Sequence, residues 1–248
     1  MRMQTRPSRS PTLTKPHRSL PGLLVLVTVL GLALLDLRHG ILLQRLVPLP
    51  QLDIGTPSPW FLDLRLSALQ GDEALCSSVL KSPIVEFSPV PDQPYKDGCG
   101  WKTAVRLTSA AGAHMPANTV TCEVAAAFSM WMVHSVQIAA ERHFKSRVST
   151  VQTLGTYACR NIVGNSLWQS FRSQHATANA IDVSGFTLAD GTAITVKRDW
   201  RSNSVKSSFL HEVHDQACRY FRVVLSPDYN SAHNDHFHID RGFLRSCK

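Results

Sequence analysis

Residues 173–197, SQHATANAIDVSGFTLADGTAITVK, decide the fold class that the sequence predicts. The alternation of apolar and polar side chains indicates two strands, over residues 180–188 and 193–197. Asp190 and Gly191 stand between them, and an Asp-Gly pair is a strong turn signal for a hairpin. The stretch therefore predicts a pair of antiparallel strands within a small sheet.

The segments outside this hairpin predict helices and further strands. Thr121 is a good N-cap, and apolar residues then recur at helical spacing, so residues 122–144 form the clearest helix. A second long helix is expected to end before Ser226-Pro227. The full prediction places helices at 73–80, 122–144 and 204–224, and strands at 148–160, 180–188, 193–197 and 236–241. This pattern predicts a single α+β domain, with a small antiparallel sheet flanked by helices.

The N-terminal part of the chain has the composition of a membrane-targeting segment. Five basic residues precede position 20, and the apolar run PGLLVLVTVLGLALLDL follows at 21–37. No small-residue cleavage site ends the run, so an uncleaved anchor is favoured over a cleaved signal peptide. The excess of basic residues before the run places the N-terminus in the cytoplasm and the rest of the chain outside. We therefore expect a basic tail at 1–19, a transmembrane anchor at 20–37, a Pro-rich stalk at 38–66 and one domain at 67–248.

The positive charge of the chain is concentrated at its N-terminal end. The formal net charge is +8, but residues 46–248 contain 19 Lys and Arg against 17 Asp and Glu, a net charge of +2. A domain so close to neutral lacks the basic surface that nucleic-acid binding requires. We therefore exclude nucleic acid as the partner.

The cysteine pattern favours an oxidising compartment. All six cysteines follow the apolar run, at positions 76, 99, 122, 159, 218 and 247. Their number is even and no CxxC pair occurs, which favours disulfides over a structural zinc site or a redox site. Six cysteines allow fifteen pairings, and the sequence does not choose among them.

Histidines cluster near the C-terminus. Three of the eleven histidines lie within the stretch HNDHFH at 233–238. On a strand, His236 and His238 project to one face while Phe237 points to the other. Six residues separate His175 from Asp182, which is enough for a loop that turns into a strand. Two histidines, a carboxylate and an open position form the mononuclear zinc site that hydrolysis needs.

These motifs resemble the family named for extensin-like C-terminal domains. The resemblance runs from about residue 76 to about residue 247, through TYACR at 156–160, SQHATANAIDVSGF at 173–186 and SPDYNSAHNDHFHID at 226–240. More distantly, the chain resembles the LAS group of metallopeptidases, which includes D-alanyl-D-alanine carboxypeptidases and penicillin-insensitive murein endopeptidase. Two positions depart from the patterns: Ala178 replaces a usual LAS glycine, and Gln174 replaces a usual extensin-like glutamate. Neither is a ligand position, so the metal site is expected to be retained.

The LAS resemblance implies the ligands and the base. It makes His175, Asp182 and His238 the ligands of one zinc ion. His236 lies next to the metal as the acid/base group or transition-state stabiliser. Asp235 occupies the place of the glutamate base of the carboxypeptidase branch, three residues before the last ligand. His236 is the favoured base, because Asp235 is expected to alternate to the other face of the strand.

Two further residues belong to the resemblance. His233, with His236 and His238, reproduces the spacing H-x-x-H-x-H of the endopeptidase branch. Arg160 ends the segment TYACR, beside a cysteine that is expected to fix it by a disulfide. It resembles the LAS arginine that holds an oxyanion or a substrate carboxylate, and a guanidinium suits either role. An ordinary ion pair at a strand end is the alternative for Arg160.

Taken as a whole, the resemblance implies a zinc-dependent peptidase that hydrolyses a stem-peptide or cross-link amide bond of peptidoglycan, with an endopeptidase favoured. It is expected in the inner membrane, with its catalytic domain in the periplasm of a bacterium. The alternative is a catalytically inactive wall-binding or scaffold domain, which the intact ligand set disfavours. The tryptophans Trp131, Trp168 and Trp200 are expected to pack in the core or in loops, with sugar-stacking platforms of a glycan-binding protein as the alternative. His211 and His214 are expected on the solvated face of the last helix.

Overall fold

The computed structural model describes residues 20–39, 51–56 and 60–248. The helices are α1 (Leu20–His39), α2 (Leu62–Ser67), α3 (Glu73–Val79), α4 (Cys122–Trp131), α5 (Gln137–Phe144), α6 (Val196–Asp199) and α7 (Val205–Ala217). A π-helical turn, Met132–Val136, joins α4 to α5. The strands are β1 (Val85–Val90), β2 (Gln93–Lys96), β3 (Cys99–Trp101), β4 (Ala104–Ala110), β5 (Ala113–Thr121), β6 (Val148–Gly155), β7 (Ala180–Leu188), β8 (Ala193–Thr195), β9 (Val223–Leu225), β10 (Phe237–Asp240) and β11 (Ser246–Cys247). The predicted α+β class is confirmed.

Nine of these strands form one mixed sheet. Its order is β1-β4-β5-β6-β7-β10-β9-β11, and β8 pairs with β7. The β5/β6 and β9/β11 pairs are parallel, and β2 and β3 form a separate two-stranded sheet. The prediction of a small antiparallel sheet is therefore wrong. Small and polar residues, together with Pro116, hide the apolar alternation of β4 and β5, and the helical crossover through α4 and α5 returns β6 parallel to β5.

Helix α4 packs against the sheet through Trp131. This fully buried ring contacts the rings of Phe128, Phe186 and Phe221. Its indole N–H donates to the Val213 carbonyl oxygen at 2.9 Å, which joins α4 to α7. The long helix predicted over 122–144 is present, with the π-helical turn in its middle.

The last helix is shorter than predicted. The helix predicted over 204–224 ends at Ala217 as α7, and residues 223 and 224 belong instead to β9. The prediction for His214 is also wrong, because this side chain is buried between Trp200 and Phe237. His211 is exposed but stacks on Trp200, with ring centroids 3.7 Å apart.

The structure describes only part of the N-terminal segments for which the sequence makes predictions. Helix α1 covers the predicted anchor at 20–37. Within the ranges that the structure describes, no helix combines the length and the apolar character needed to cross a membrane. The membrane helix in the predicted fold class is therefore not supported. The predicted tail at 1–19 and the stalk residues 40–50 and 57–59 lie outside the described residues.

Packing begins before residue 67. Leu52, Ile54 and Leu66 are buried in the hydrophobic core. The Asp63 carboxylate contacts the guanidinium groups of Arg222 at 3.1 Å and of Arg241 at 2.8 Å. The described part of the predicted stalk thus packs against the domain.

All six cysteines form disulfides, as the sequence predicts. The pairs are Cys76–Cys122, Cys99–Cys159 and Cys218–Cys247, and no cysteine is free. The first joins α3 to α4, the second joins β3 to the loop after β6, and the third joins the end of α7 to β11.

Candidate metal centre

Asp182 and His238 face each other across β7 and β10. The two strands are antiparallel, and their register pairs His238 directly with Asp182. Both side chains are buried, and His238 Nδ1 lies 2.9 Å from Asp182 Oδ1. A register shift of β7 against β6, between Val183 and Gly185, turns Phe186 to the opposite face, where it contacts Trp131 of α4. The strand pair therefore carries polar groups on one face and core residues on the other.

A short 3₁₀ helix, Gln174–Thr177, brings His175 to the same place. Ser173 Oγ caps this turn by accepting from the His175 backbone N–H, and Ala178 ends it with a positive φ of 53°. His175 Nε2 lies 3.1 Å from Asp182 Oδ1 and 3.1 Å from His238 Nδ1. The structure thus brings together the three predicted ligands, whose ligand atoms all lie within 4.8 Å of one another.

Hydrogen bonds on the far side of each imidazole fix its tautomer. His175 Nδ1 lies 3.2 Å from the Thr156 carbonyl oxygen, and His238 Nε2 lies 3.0 Å from Asp240 Oδ2. Both oxygens only accept hydrogen bonds, so each of these nitrogens carries a proton. When both rings are neutral, their inner nitrogens therefore direct lone pairs at Asp182 Oδ1. Three acceptors that converge in this way repel one another unless a cation lies between them.

The electrostatics of the site agree with this argument. Burial raises the pKa of Asp182, but hydrogen bonds from His175 and His238 outweigh it and hold this pKa well below its usual range. Burial lowers the pKa of His238, but hydrogen bonds to Asp182 and Asp240 outweigh it and raise this pKa to about 9. A proton on His238 supplies the cation when no metal is bound. The group is therefore built to hold a positive charge.

The three ligand atoms fit a zinc ion. Zinc binds imidazole nitrogen and carboxylate oxygen at about 2.0–2.2 Å, so tetrahedral ligand atoms lie about 3.3–3.5 Å apart. The mutual distances here are 2.9 to 3.1 Å, so a small outward movement is sufficient. The Thr156 carbonyl and the Asp240 carboxylate already orient the rings from outside, as outer partners do in metal sites.

His236 lies beside this group with a carboxylate of its own. Its Nδ1 donates to Asp235 Oδ1 at 2.9 Å, which leaves a lone pair on Nε2. Nε2 lies 3.5 Å from Asp182 Oδ1. His236 lines the cleft over the site, whereas Asp235 does not. His236 is therefore the residue of this pair that reaches the cleft, and Asp235 orients its ring from behind.

His233 completes the histidine cluster. Its ring centroid lies 5.3 Å from that of His236 and 5.8 Å from that of His238. Its Nδ1 donates to Asn230 Oδ1 at 2.7 Å. Burial, together with the neighbouring His238 and His236, lowers the pKa of His233 to about 4. A neutral imidazole with a free Nε2 thus faces the cleft.

The cleft over the site has a volume of about 740 Å³. One wall is the loop 156–173 between β6 and β7, and the other is the segment 242–246 between β10 and β11. Arg160 lies in the first wall and is exposed. Among the described residues, its guanidinium makes one hydrogen bond, a long one to the Asn161 carbonyl oxygen at 3.4 Å. The predicted strand over 148–160 ends at Gly155, so Arg160 belongs to a loop. The alternative role of Arg160, an ion pair at a strand end, does not fit this position.

Two residues of the site were not found from the sequence. Asp240 follows His236 and His238 at the same spacing of two residues, so the alternation on β10 extended by one step would have found it. Thr156 acts through its backbone carbonyl, which carries no sequence signal.

Comparison with known families gives one match. The model of the family described as extensin-like protein C-terminus matches residues 74–248. No curated protein and no solved structure matches the chain. The matched range contains the metal-ligand candidates, His236 and both walls of the cleft.

Proposed function

Since this chain belongs to the extensin-like protein C-terminus family, we propose that its domain is a zinc-dependent peptidase that hydrolyses peptidoglycan stem peptides. The observation that carries the proposal is the convergence of His175 Nε2, Asp182 Oδ1 and His238 Nδ1 within 2.9 to 3.1 Å of one another. An imidazole that is free to accept a proton lies next to them. The relation to LAS peptidases rests on these residues alone.

The chain's own residues divide the work of hydrolysis. His175, Asp182 and His238 would hold the metal, which supplies Lewis acidity to polarise the scissile carbonyl and to acidify a water molecule. His236 Nε2 takes the proton from the attacking water and returns it to the nitrogen of the leaving amine. Asp235 keeps the proton of His236 on Nδ1, so that Nε2 stays the accepting atom.

Two further groups are placed to contact the substrate. The Arg160 guanidinium, which makes one long hydrogen bond within the protein, has N–H donors available for an oxyanion or a carboxylate. His233 is held neutral by burial and presents its Nε2 to the cleft, where it accepts a hydrogen bond from a substrate amide.

The shape of the cleft favours an endopeptidase. Its two walls are joined to β6 and to β11, which lie on opposite sides of the β7–β10 pair in the sheet order. A peptide chain therefore has room on both sides of the scissile bond, as cleavage within a chain requires. The three disulfides fit an oxidising compartment, and we place the domain on the periplasmic side of the bacterial envelope.

Metal content and muropeptide analysis test the proposal together. The purified full chain is expected to bind one zinc ion and to release new peptide termini from isolated sacculi, as seen by mass spectrometry. Replacement of His175, Asp182 or His238 by Ala removes both properties, whereas His114→Ala, at an exposed histidine outside the cleft, removes neither. Full activity without zinc contradicts the metallopeptidase. Zinc binding with unchanged muropeptides supports an inactive wall-binding domain instead.

A further inference from the structure

Trp168 and Phe171 form an exposed aromatic pair inside the cleft, here called the aromatic ledge. Their ring centroids lie 5.3 Å apart, with the planes tilted by 54°. Trp168 is 38% exposed and Phe171 is 55% exposed, and both line the cleft over the candidate metal centre. Trp168 lies in a loop and packs on Phe171, which fits the expected core or loop packing, but it stays partly exposed, whereas Trp131 and Trp200 are buried. Exposed aromatic surface inside a cleft is typical of a ligand site.

The indole N–H of Trp168 also lacks a partner. Trp101, Trp131 and Trp200 each donate the indole N–H to an oxygen, at 3.1, 2.9 and 2.7 Å. No acceptor for Trp168 Nε1 is found among the residues that the structure describes. The ledge thus offers an apolar ring face and a hydrogen-bond donor side by side. A ligand that matches it has an apolar face and an oxygen acceptor at its rim.

A short chain of contacts joins the ledge to the reactive groups. The Trp168 backbone N–H donates to the Asn165 carbonyl oxygen at 3.3 Å, and Asn165 Nδ2 donates to the Tyr229 hydroxyl at 3.1 Å. The Tyr229 ring contacts His233, with centroids 5.6 Å apart, and His233 contacts His236. The ledge is therefore fixed relative to His236, and one substrate can reach both.

We propose that the aromatic ledge binds an N-acetylated sugar ring, so that the substrate is a stem peptide still attached to its glycan strand. This inference rests on the proposed function for the choice of substrate. A hexosamine ring presents axial C–H groups that stack on an aromatic face, and its acetamido carbonyl accepts from the Trp168 indole N–H. Arg160, which lines the same wall, has further N–H donors for sugar oxygens. An apolar peptide side chain can pack on the Trp168 ring face, but it leaves the indole N–H without an acceptor.

Binding to a form of the protein that does not turn over tests the ledge. The zinc-loaded full chain with His236→Ala is titrated calorimetrically with a disaccharide-tetrapeptide, and with the same tetrapeptide without sugars. The disaccharide is expected to tighten binding by about 5- to 20-fold, the scale of one aromatic contact with a hydrogen bond. Trp168→Ala removes this gain, and Trp168→Phe keeps part of it. Leu167→Ala is the matched control, because Leu167 is 82% exposed in the same turn and does not line the cleft.

The outcomes separate the ledge from the proposed function. Equal affinity for the two ligands overturns the sugar site. So does an equal loss of affinity for both ligands in Trp168→Ala, which means that the ledge binds the peptide. If the wild type cleaves neither ligand but the disaccharide still tightens binding through Trp168, the sugar site stands and the peptidase fails. If the wild type and Trp168→Ala cleave both ligands with equal kcat/KM, the peptidase stands and the sugar site fails.

Discussion

The imidazoles of the site owe their chemistry to partners that lie outside it. A carbonyl orients His175, a carboxylate orients His238, and a second carboxylate orients His236. Each partner holds a proton on the outer nitrogen and leaves the inner nitrogen free. The same kind of contact therefore produces two candidate metal ligands and one candidate base, and the position of each ring relative to Asp182 distinguishes the proposed roles. Single substitutions separate these roles.

His236→Ala is expected to retain zinc while turnover falls by about 10²- to 10⁴-fold, the usual contribution of a general acid–base group. Asp235→Asn gives a smaller loss, because the base remains but its tautomer is no longer fixed. Zinc content by mass spectrometry and kcat on a defined muropeptide measure the two effects. Loss of zinc from His236→Ala means that His236, and not His238, is the ligand.

Arg160→Lys keeps a positive charge but loses the planar fork of the guanidinium. If Arg160 binds the oxyanion, kcat is expected to drop by about 10- to 100-fold at unchanged melting temperature and zinc content, somewhat less than the loss of a full oxyanion donor. If Arg160 instead binds a substrate carboxylate, KM is expected to rise, and only for substrates with a free C-terminus. Arg142→Lys, on α5 and paired with Glu212, is the control. Unchanged kinetics of Arg160→Lys on free and amidated substrates exclude it from the site.

At the scale of elements, the two-stranded β2–β3 sheet braces the cleft wall that contains Arg160. The disulfide Cys99–Cys159 joins β3 to this wall, and Arg172 Nε donates to the Asp97 carbonyl oxygen at 2.8 Å. The ring of Trp101 meets that of Tyr157 edge-on, with centroids 4.8 Å apart. The brace thus supports the cleft wall, and we expect it to influence substrate binding more than the candidate ligands Asp182 and His238 on β7 and β10.

Replacing both Cys99 and Cys159 by Ala is expected to raise KM several-fold at unchanged zinc content, because the wall loses its covalent anchor. The matched control replaces Cys76 and Cys122, which join α3 to α4. The disulfides close 60 and 46 residues, so loop entropy predicts a similar loss of stability, of about 4 kcal/mol at most, for each. Denaturant unfolding measures the stability of both double variants, and enzyme kinetics measure their KM. An equal change in KM for the two double variants contradicts a specific brace.

The secondary-structure elements also show which features can be predicted from the sequence alone. The strand over 180–188 and its hairpin with β8 are as predicted, because alternation and an Asp-Gly turn are local signals. Helix α7 was predicted too long, because Tyr220, Phe221 and Val224 continue the helical spacing although Val224 lies in β9. The disulfide pairing and the bulge in β7 depend on tertiary contacts, which no local pattern encodes. The exposure of Trp168 inside the cleft could not be predicted for the same reason, since it is a property of the assembled walls.

At the scale of the whole molecule, Asp63 ties the two ends of the domain together. It lies outside the family match, which begins at residue 74. Its carboxylate contacts Arg222, Arg241 and Arg245, all near the C-terminus, at 2.8 to 3.1 Å. Arg241 also pairs with the buried Glu123 at 2.6 Å and directly follows Asp240, the partner of His238. The segment before the family match is therefore part of the framework that positions β10.

The ion pairs of Asp63 with these arginines are expected to be lost in acid. Burial raises the pKa of Asp63, but the hydrogen bond from Arg222 and the charges of Arg241, Arg222 and Arg245 outweigh it and lower this pKa to about 2. A carboxyl whose folded pKa is lowered contributes stability that is complete above its ordinary value of 3.8 and is lost as the pH falls through about 2.

Asp63→Asn is therefore expected to destabilise the protein by about 1–3 kcal/mol near pH 7, because buried guanidinium N–H groups lose an acceptor. The difference from wild type shrinks between pH 4 and pH 2, since protonation makes the wild-type carboxyl equivalent to the amide. Urea unfolding at several pH values measures this difference in the free energy of unfolding. Glu141→Gln, at an exposed position of α5, is the control and is expected to change stability by less than about 1 kcal/mol. A difference for Asp63→Asn that stays constant down to pH 2 shows that geometry, and not the charge of Asp63, holds the two ends together.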